Sequence, residues 1–487
     1  MKYRSEIDGL RALAVIPVIF FHAGFEFFNG GYIGVDVFFV ISGYLITTIL
    51  VNSLEEENFS LIDFYLRRAR RILPALFLIM LICIPFAWMW MQPYDLKNFS
   101  QSLVAVTFFA SNFLFTIETG YFDIQSENKP LLHTWSLAVE EQYYLIFPII
   151  LFFCWKFGKN RVFWILIILA SISLIISEWG WRNKPIANFF LAPSRIWEIF
   201  AGSISALIIK NNGIKSNNTL SILGLTILIL SVLMYGKDVP FPSIYALPPV
   251  LGTMLIILYT DEKSIISKIL CNRFIVGIGL ISYSAYLWHQ PIFSFARIRF
   301  LEEPSEELMI MLSIMTLSLS YLSWRWIEKP FRSESLNFTK SYIIGSLFLC
   351  ITIFLFFGFI GHKTNGFDNR KAADHLPLDF YKLATLAKVN SDCIDSTSPC
   401  KLSDSNDSSN EILLIGDSHS VDFHFDFFKN SIENNLLPYQ YSTGGCGFFA
   451  IHHENCKSKI KILKKIIEEN SFEKIILIND LYGHASK

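Results

Sequence analysis

Two ionisable side chains in the first apolar segment, RALAVIPVIFFHAG at residues 11–24, are spaced so that they could hold one elongated ligand. Arg11 and His22 lie eleven residues apart, which is about three turns of an α-helix. Both side chains therefore point from one face, roughly 16 Å apart along the axis. A guanidinium binds anions, and an imidazole acts as a base or a nucleophile. The alternatives are a snorkelling arginine and a packing histidine.

More polar residues follow in two other apolar segments. GVDVFFVISG contains Asp36, and HTWSLAVEEQYY contains His133, Glu140 and Glu141. If these segments pack beside the first one, they form a buried polar pocket. A carboxylate next to an imidazole fixes its tautomer and raises its basicity, which favours general-base chemistry at His22. The alternative is an interfacial belt of His, Trp and Tyr.

A run of arginines, RRARR at residues 67–71, precedes the third apolar segment. It has two interpretations: a clamp for phosphate groups, which arginine binds bidentately, or a positive anchor at the inner membrane surface. The clamp comprises Arg67, Arg68, Arg70 and Arg71. No pattern of metal ligands is predicted.

The elements that must position these residues are membrane helices. The 487 residues are 52% hydrophobic and 17% charged, and apolar runs recur from residue 10 to about residue 361. A span needs roughly 20 mostly apolar residues. The pattern predicts an all-α polytopic domain of about ten membrane helices and one more, with 101–117 interfacial or re-entrant. The predicted spans are 10–28, 34–52, 73–91, 137–155, 162–178, 193–209, 219–235, 246–260, 274–293, 307–325 and 341–361.

The charges predict the orientation of these helices. With a cytoplasmic N-terminus, lysine and arginine are more numerous in the segments that lie inside, as the positive-inside rule requires. An odd number of spans then puts the C-terminal part outside the cytoplasm. The first apolar run lacks a small-residue cleavage site and is expected to be a retained helix. A net charge of −1 does not indicate a nucleic-acid partner.

The residues after 361 predict a second, smaller domain. A polar linker at 362–410 precedes EILLIGDSHS, whose apolar run 412–415 is typical of a buried strand, and KIILIND at 474–480 is typical of another. Strand, helix and strand in this order predict a partial α/β domain with a parallel sheet.

Four cysteines in this part favour two disulfides in an oxidising compartment. Short loops favour Cys393–Cys400 and Cys446–Cys456, although three pairings are open and free thiols are the alternative.

Six motifs in order resemble the acyltransferase-3 family of bacterial membrane acyltransferases over about residues 3–335. They are DGLRALAV…FFHA, GVDVFFVISGYLIT, FYLRRARRILPA, HTWSLAVEEQYY, SYSAYLWHQP and WIEKPF. The resemblance implies transfer of an acyl group, usually acetyl, from cytoplasmic acyl-CoA to an acceptor beyond the membrane. Arg11 and His22 match a signature taken as essential in that family. The arginines would hold the CoA nucleotide, and the thioester would lie near His22.

The tail resembles another family at its first strand. GDSHS is similar to the first block of SGNH hydrolases, which implies a nucleophilic role for Ser418 in a flavodoxin-like domain. Gly445 and Asn479 are candidates for the oxyanion hole. The family's D-x-x-H element is missing, since Asp480 and His484 are one residue too far apart. We favour truncation over a degenerate appendage or a part supplied by a separate polypeptide.

These observations predict a bacterial inner-membrane O-acetyltransferase with a periplasmic C-terminal domain. The donor is acetyl-CoA, no cofactor is permanently bound, and the acceptor is a surface glycan. The fused arrangement of ten membrane helices, an extra helix and a periplasmic SGNH domain resembles the O-antigen acetylases, which favours lipopolysaccharide O-antigen over peptidoglycan, exopolysaccharide or a secreted metabolite. The alternatives are an exporter that uses His22 as a proton relay, and a remnant without turnover.

The predicted domains are the acyltransferase domain 1–335, the extra helix 336–361, the linker 362–410 and the partial SGNH-like domain 411–487. The predicted catalytic residues are Arg11, His22, Asp36, His133, Glu141 and Ser418, and the predicted CoA-binding residues are Arg11, Arg67, Arg68, Arg70 and Arg71.

Overall fold

The computed structural model divides the chain into two units, Met1–Arg370 and Lys371–Lys487. In the first unit it describes residues 3–118, 124–236, 238–300, 304–332, 340–367 and 370. In the second it describes 400–401, 411–416, 437–442, 461, 464–465, 467, 472 and 474–478. The domain boundaries inferred from composition stay predictions.

The first unit is helical, which confirms the all-α prediction for this part of the chain. In a bilayer every backbone N–H and C=O must be satisfied within the protein, and a helix does this locally. The helices are α1 Ser5–His22, α2 Gly34–Glu55, α3 Leu61–Trp90, α4 Pro93–Thr107, α5 Ser111–Glu118, α6 Ile124–Glu127, α7 Thr134–Trp155, α8 Lys159–Asn183, α9 Pro185–Phe190, α10 Ala192–Asn212, α11 Asn218–Met234, α12 Leu247–Tyr259, α13 Ile265–Leu270, α14 Arg273–Leu280, α15 Ser282–Arg299, α16 Glu306–Ser323, α17 Lys329–Arg332 and α18 Lys340–Lys363.

Among the described residues, six helices are long and apolar enough to cross a membrane. They are Gly31–Glu55, Leu61–Trp90, Thr134–Trp155, Lys159–Asn183, Glu306–Arg332 and Gly345–Lys363. The predicted spans 10–28, 193–209, 219–235 and 246–260 coincide with the shorter or more polar helices α1, α10, α11 and α12. The predicted span 274–293 is instead two helices, α14 and α15, that meet at Ile281. The protein is therefore a multi-pass membrane protein, and the number of eleven spans stays a prediction.

Side-chain caps set several helix starts. Ser60, Asn217 and Ser305 each accept a hydrogen bond from a backbone N–H of the first turn that follows. The first N–H groups of a helix have no partner within the helix, and a short polar side chain satisfies one of them. These caps fix where α3, α11 and α16 begin.

The segment 101–117 is two helices with a break between them. α4 ends at Thr107, Phe109 adopts a positive φ of 51°, and α5 begins at Ser111. α4 packs along the C-terminal half of α18, where Lys97 donates to Asn365 at 3.0 Å. The interfacial or re-entrant placement of this segment stays a prediction.

Helix α1 lies in unusually close backbone contact with two neighbours. A Cβ added at Gly279 of α14 would lie 1.8 Å from the carbonyl oxygen of Asp8, and one added at Gly34 of α2 would lie 2.3 Å from that of Ala14. Real Cβ atoms do not approach backbone oxygens so closely, so these positions admit glycine alone without movement of α1. The glycines thus lock α1 against α14 and α2.

We expect Gly279→Ala to lower the free energy of unfolding by about 1–3 kcal/mol, because the new methyl group overpacks the contact with Asp8. The midpoint of thermal unfolding of the detergent-solubilised protein measures this. Gly277→Ala is a matched control in the same helix, since a Cβ at Gly277 meets nothing within 4 Å. Equal midpoints for the two variants would contradict the close approach.

The described part of the second unit contains a four-stranded sheet. The strands are β1 Cys400–Lys401, β2 Glu411–Gly416, β3 Leu437–Ser442 and β4 Lys474–Ile478, in the order β1-β3-β2-β4. β2 pairs in parallel with β3 and β4, whereas β1 pairs with β3 in antiparallel fashion. The two predicted strands and their parallel arrangement are confirmed.

The remaining predictions for this unit concern residues outside the described ranges. The residues that carry the SGNH assignment lie outside the described residues. So do three of the four cysteines assigned to disulfides. The residues concerned are Cys393, Ser418, Gly445, Cys446, Cys456, Asn479, Asp480 and His484, and Cys400 lies in β1.

Candidate active site

A cavity of about 100 Å³ lies among α1, α2, α3, α7 and α15. It runs along α2 from Val35 to Ile46. Basic, acidic and hydroxyl side chains from the five helices line it. The polar lining residues are Arg11, Ser42, Arg68, Arg71, Ser136, Glu140, Tyr144, Ser282, Tyr283 and Tyr286.

Three arginines converge on this cavity. Arg11 forms an ion pair with Asp8 at 3.3 Å, and Arg68 and Arg71 join it from α3. Residues 68 and 71 share a face of α3 because they are one turn apart. Arg67 is exposed, and neither it nor Arg70 lines the cavity. The structure therefore brings together three of the five predicted phosphate-binding arginines and separates the other two.

The carboxylate that lines the cavity is Glu140. Its Oε2 accepts hydrogen bonds from the Ser42 hydroxyl at 3.1 Å and from the Tyr144 hydroxyl at 2.7 Å. The predicted residue, Glu141, is next in sequence and thus about 100° further around the helix, so it does not line the cavity. Glu141 is instead close enough to Arg68 and Arg71 to interact electrostatically with both.

Three histidines form a cluster beside the cavity, called here the histidine cluster: His22, His133 and His289. The His289 ring lies 5.1 Å from the His22 ring and 5.4 Å from the His133 ring, measured between centroids. The cluster adjoins the cavity through Tyr286, whose ring is 5.2 Å from that of His289. The predicted neighbourhood of His22 and His133 thus occurs with His289 between them.

Helix α15, which carries His289, is hydrogen-bonded to the backbone of His22 at the end of α1 and of His133 just before α7. Arg297 donates from its Nη2 to the carbonyl oxygen of His22 at 2.6 Å and pairs with Glu127 at 3.1 Å. The Tyr286 hydroxyl donates to the carbonyl oxygen of His133 at 3.0 Å. These bonds tie the end of α1 and the start of α7 to one helix, so the cluster is positioned from α15.

Asp36 faces away from the cavity. It is fully buried and lies 3.4 Å from Nη1 of Arg195, which is itself 3.2 Å from Oε1 of Glu198 on α10. Asp36 and the cavity-lining Phe38 are two residues apart and so lie on opposite sides of α2. The prediction that Asp36 belongs to the imidazole site is corrected to a buried ion cluster of Asp36, Arg195 and Glu198.

Aromatic rings surround this ion cluster. The guanidinium carbon of Arg195 lies 5.4 Å from the ring centroids of Phe39, Trp135 and Phe241 and 5.6 Å from that of Phe189. Such rings attract a cation through their electron-rich faces. α2 is thus a wall with the cavity on one face and the ion cluster on the other.

Comparison with known proteins decides the family. The sequence model of the acyltransferase-3 family, described as an acyltransferase domain, matches residues 4–325. The chain belongs to this family. It is an acyltransferase, and the family match covers every lining residue of the cavity and the whole histidine cluster.

Relatives of this acyltransferase are named for acetyl transfer. A Staphylococcus aureus protein named as an O-acetyltransferase is 30% identical over 477 residues, which cover 90% of this chain and 77% of the relative. The peptidoglycan O-acetyltransferase OatA of Listeria monocytogenes is 33% identical over 362 residues, covering 70% of this chain and 58% of OatA. The Bacillus subtilis protein YrhL, named for the same activity, is 31% identical over 363 residues, covering 68% of this chain and 55% of the relative. No solved structure matches the chain.

The arrangement gives this acyltransferase two chemical environments that meet. One is cationic and suits phosphate groups, and the other is rich in imidazoles that can take or give a proton. Sequence reasoning assigned both Glu140 and Glu141 to the polar pocket, chose Glu141 as the catalytic residue and gave no role to Tyr286. It noted His289 within LWHQP, but nothing in the chain spacing links that residue to His22.

Proposed function

We propose that the protein is a membrane O-acetyltransferase that moves an acetyl group from acetyl-CoA to a hydroxyl of a cell-surface glycan. The observation that carries this proposal is a cavity lined by three arginines, with the histidine cluster next to it behind Tyr286. His22, His133 and His289 do not themselves line the cavity. An exporter with a proton-relay histidine needs no such cationic site.

The donor is inferred from the charge of the cavity. CoA carries three phosphate groups on its nucleotide end, and arginine recognises phosphate with two parallel hydrogen bonds. Arg11, Arg68 and Arg71 would hold that end, and the pantetheine arm would extend toward Tyr286 and the histidine cluster. In the reaction the acceptor oxygen bonds to the acetyl carbon, the carbon–sulfur bond breaks, and an imidazole passes the hydroxyl proton to the departing thiolate. An acetyl-imidazole intermediate is the alternative.

Two acceptors are to be compared. The names of the relatives from Listeria and Bacillus direct the first assay to peptidoglycan. The resemblance of the fused arrangement to O-antigen acetylases directs the second to lipopolysaccharide. In both cases we propose a bacterial inner-membrane location with a cytoplasmic N-terminus and the C-terminal part outside the cytoplasm.

We expect CoA to raise the thermal unfolding midpoint of the purified full-length protein by several degrees. A ligand that binds only the folded protein, at 100 times its Kd, raises the free energy of unfolding by about 2.7 kcal/mol. Pantetheine, which lacks the nucleotide, should stabilise far less. Combined Arg68→Ala and Arg71→Ala changes should abolish the shift, whereas Arg67→Ala, in the same run but outside the cavity, should keep it.

The same preparation tests the reaction. Acetyl-CoA with a labelled acetyl group is mixed with a muropeptide or with purified O-antigen, and the product glycan is examined by mass spectrometry. A mass increase of one acetyl group identifies the acceptor. A folded protein that CoA does not stabilise and that labels neither glycan would overturn the proposal in favour of transport.

A further inference from the structure

His289 is the central and most enclosed member of the histidine cluster. Its side chain is fully buried in α15, and its ring lies between those of His22 and His133. It does not line the cavity, but Tyr286, one turn earlier on the same helix, does. His289 therefore lies directly behind the cavity wall, next to the histidine that the family signature includes.

The hydrogen bonding of His289 fixes its tautomer. Its Nδ1 lies 2.5 Å from the backbone carbonyl oxygen of Tyr286. A carbonyl oxygen only accepts hydrogen bonds, so Nδ1 carries the proton and Nε2 of the neutral ring carries a lone pair. Among the described residues, Nε2 is buried without a hydrogen-bond partner. Buried nitrogens are normally satisfied, so this one is prepared for a donor that comes from outside the chain.

We propose that His289 is a second catalytic imidazole, the base that takes the proton from the hydroxyl of the glycan acceptor. This rests on the proposed function. As the acceptor oxygen bonds to the acetyl carbon, its proton goes to Nε2 of His289, the carbon–sulfur bond breaks, and that proton then returns to the CoA thiolate. No other reactant is needed. The neighbouring His22 would serve the thioester on the donor side, so each substrate would meet its own imidazole.

The geometry favours His289 over His133 for this role. Both rings are buried in the cluster, but the Tyr286 carbonyl commits His289 to the form in which Nε2 accepts. Tyr286 and His289 both lie on α15, and Arg297 of the same helix donates a hydrogen bond to the backbone carbonyl of His22. The base and the donor-side imidazole are thereby kept at a fixed separation.

The test uses purified full-length protein, acetyl-CoA and the glycan that the wild-type enzyme acetylates. His289→Asn keeps an amide that can donate to the Tyr286 carbonyl but removes the basic nitrogen. We expect kcat to fall by about 10²–10⁴-fold, the usual contribution of a general base, while KM for acetyl-CoA and the CoA-induced thermal shift stay unchanged. His289→Gln, which accepts a hydrogen bond but cannot take a proton, should be equally impaired.

A thiosugar acceptor separates a base from a structural role. A thiol ionises near neutral pH without help, so the defect of His289→Asn should shrink at least tenfold with this acceptor. A packing defect would reduce both reactions alike. Trp288→Phe removes the hydrogen bond from the indole of Trp288, next to His289 on α15, to Ser323 at the end of α16. It is the matched control and should keep wild-type rates with both acceptors.

The outcomes distinguish this inference from the proposed function. If the wild-type protein acetylates no glycan, the proposed function fails. If the wild type is active and His289→Asn retains its rate, or if His289→Gln restores it, His289 is not the base. A defect of equal size with the sugar and the thiosugar likewise overturns the assignment.

Discussion

Replacement of His22 by alanine is expected to reduce glycan acetylation by at least about 10²-fold, the lower end of what one acid–base group contributes. His22 is 8% exposed, lies at the end of α1 and contacts His289 with its ring. Its removal leaves the arginines of the cavity in place, so acetyl-CoA should still bind. Arg11→Ala should act differently, because it weakens donor binding and raises KM for acetyl-CoA.

Mass spectrometry of glycan purified from cells that express each variant measures this effect. Membrane insertion is checked by the amount of protein in the membrane fraction. His362→Ala removes an exposed histidine at the end of α18 and is the matched control. Normal acetylation by both His22→Ala and Arg11→Ala would refute the assignment of the site to this cavity.

Replacement of Arg195 by methionine is expected to destabilise the protein by about 3–5 kcal/mol, the cost of leaving a buried charge without its partner. Arg195 is 1% exposed, and both Asp36 and Glu198 are fully buried beside it. Without the guanidinium these two carboxyl groups face each other in an apolar surrounding. α2 and α10 meet at this point, so the loss should loosen the wall of the cavity as well.

The yield of folded protein and its thermal unfolding midpoint in detergent measure the loss. Arg182→Ala is the matched control, because that side chain is 53% exposed at the end of α8. Adding Asp36→Asn and Glu198→Gln to Arg195→Met should restore part of the stability, since neutral amides are less costly to bury than unpaired carboxylates. A single Arg195→Met variant as stable as the control would show that the ion cluster contributes nothing.

Helical periodicity was enough to predict which residues of α1 and α3 lie near one another. Arg11 and His22 occur on one helix at the predicted spacing, and Arg68 and Arg71 line the cavity that Arg11 lines. These inferences needed only the period of 3.6 residues and the preference of arginine for anions.

The errors arise where the answer depends on neighbouring helices. Asp36 and Glu141 are each one or two residues from a cavity-lining position, and the sequence does not state which face of α2 or α7 meets which partner. Only tertiary packing shows that α10 supplies Arg195 to Asp36 and that α15 brings His289 between His22 and His133. Long-range contacts of this kind leave no mark in the spacing along the chain.

Ionisable residues distinguish three helices that length and composition do not mark as membrane-crossing. α1, α10 and α15 are not among the six helices that length and composition mark as membrane-crossing. They carry Arg11, Arg195 and Arg297, each paired with an acidic side chain. Paired charges lower the hydropathy of a helix without exposing it to lipid. α2, α3 and α7 also line the cavity, and their length and composition do mark them as membrane-crossing.

The glycine contacts along α1 have a consequence for the proposed acetyl transfer. With its backbone against Gly279 near one end and Gly34 near the middle, α1 is closely confined by α14 and α2. If Arg11 anchors the donor and His22 serves the thioester, the distance between these two groups is then fixed by the packing of α1. The acetyl group would have to travel on the flexible arm of the donor past a stationary helix, and a donor with a shorter arm would not reach the imidazole.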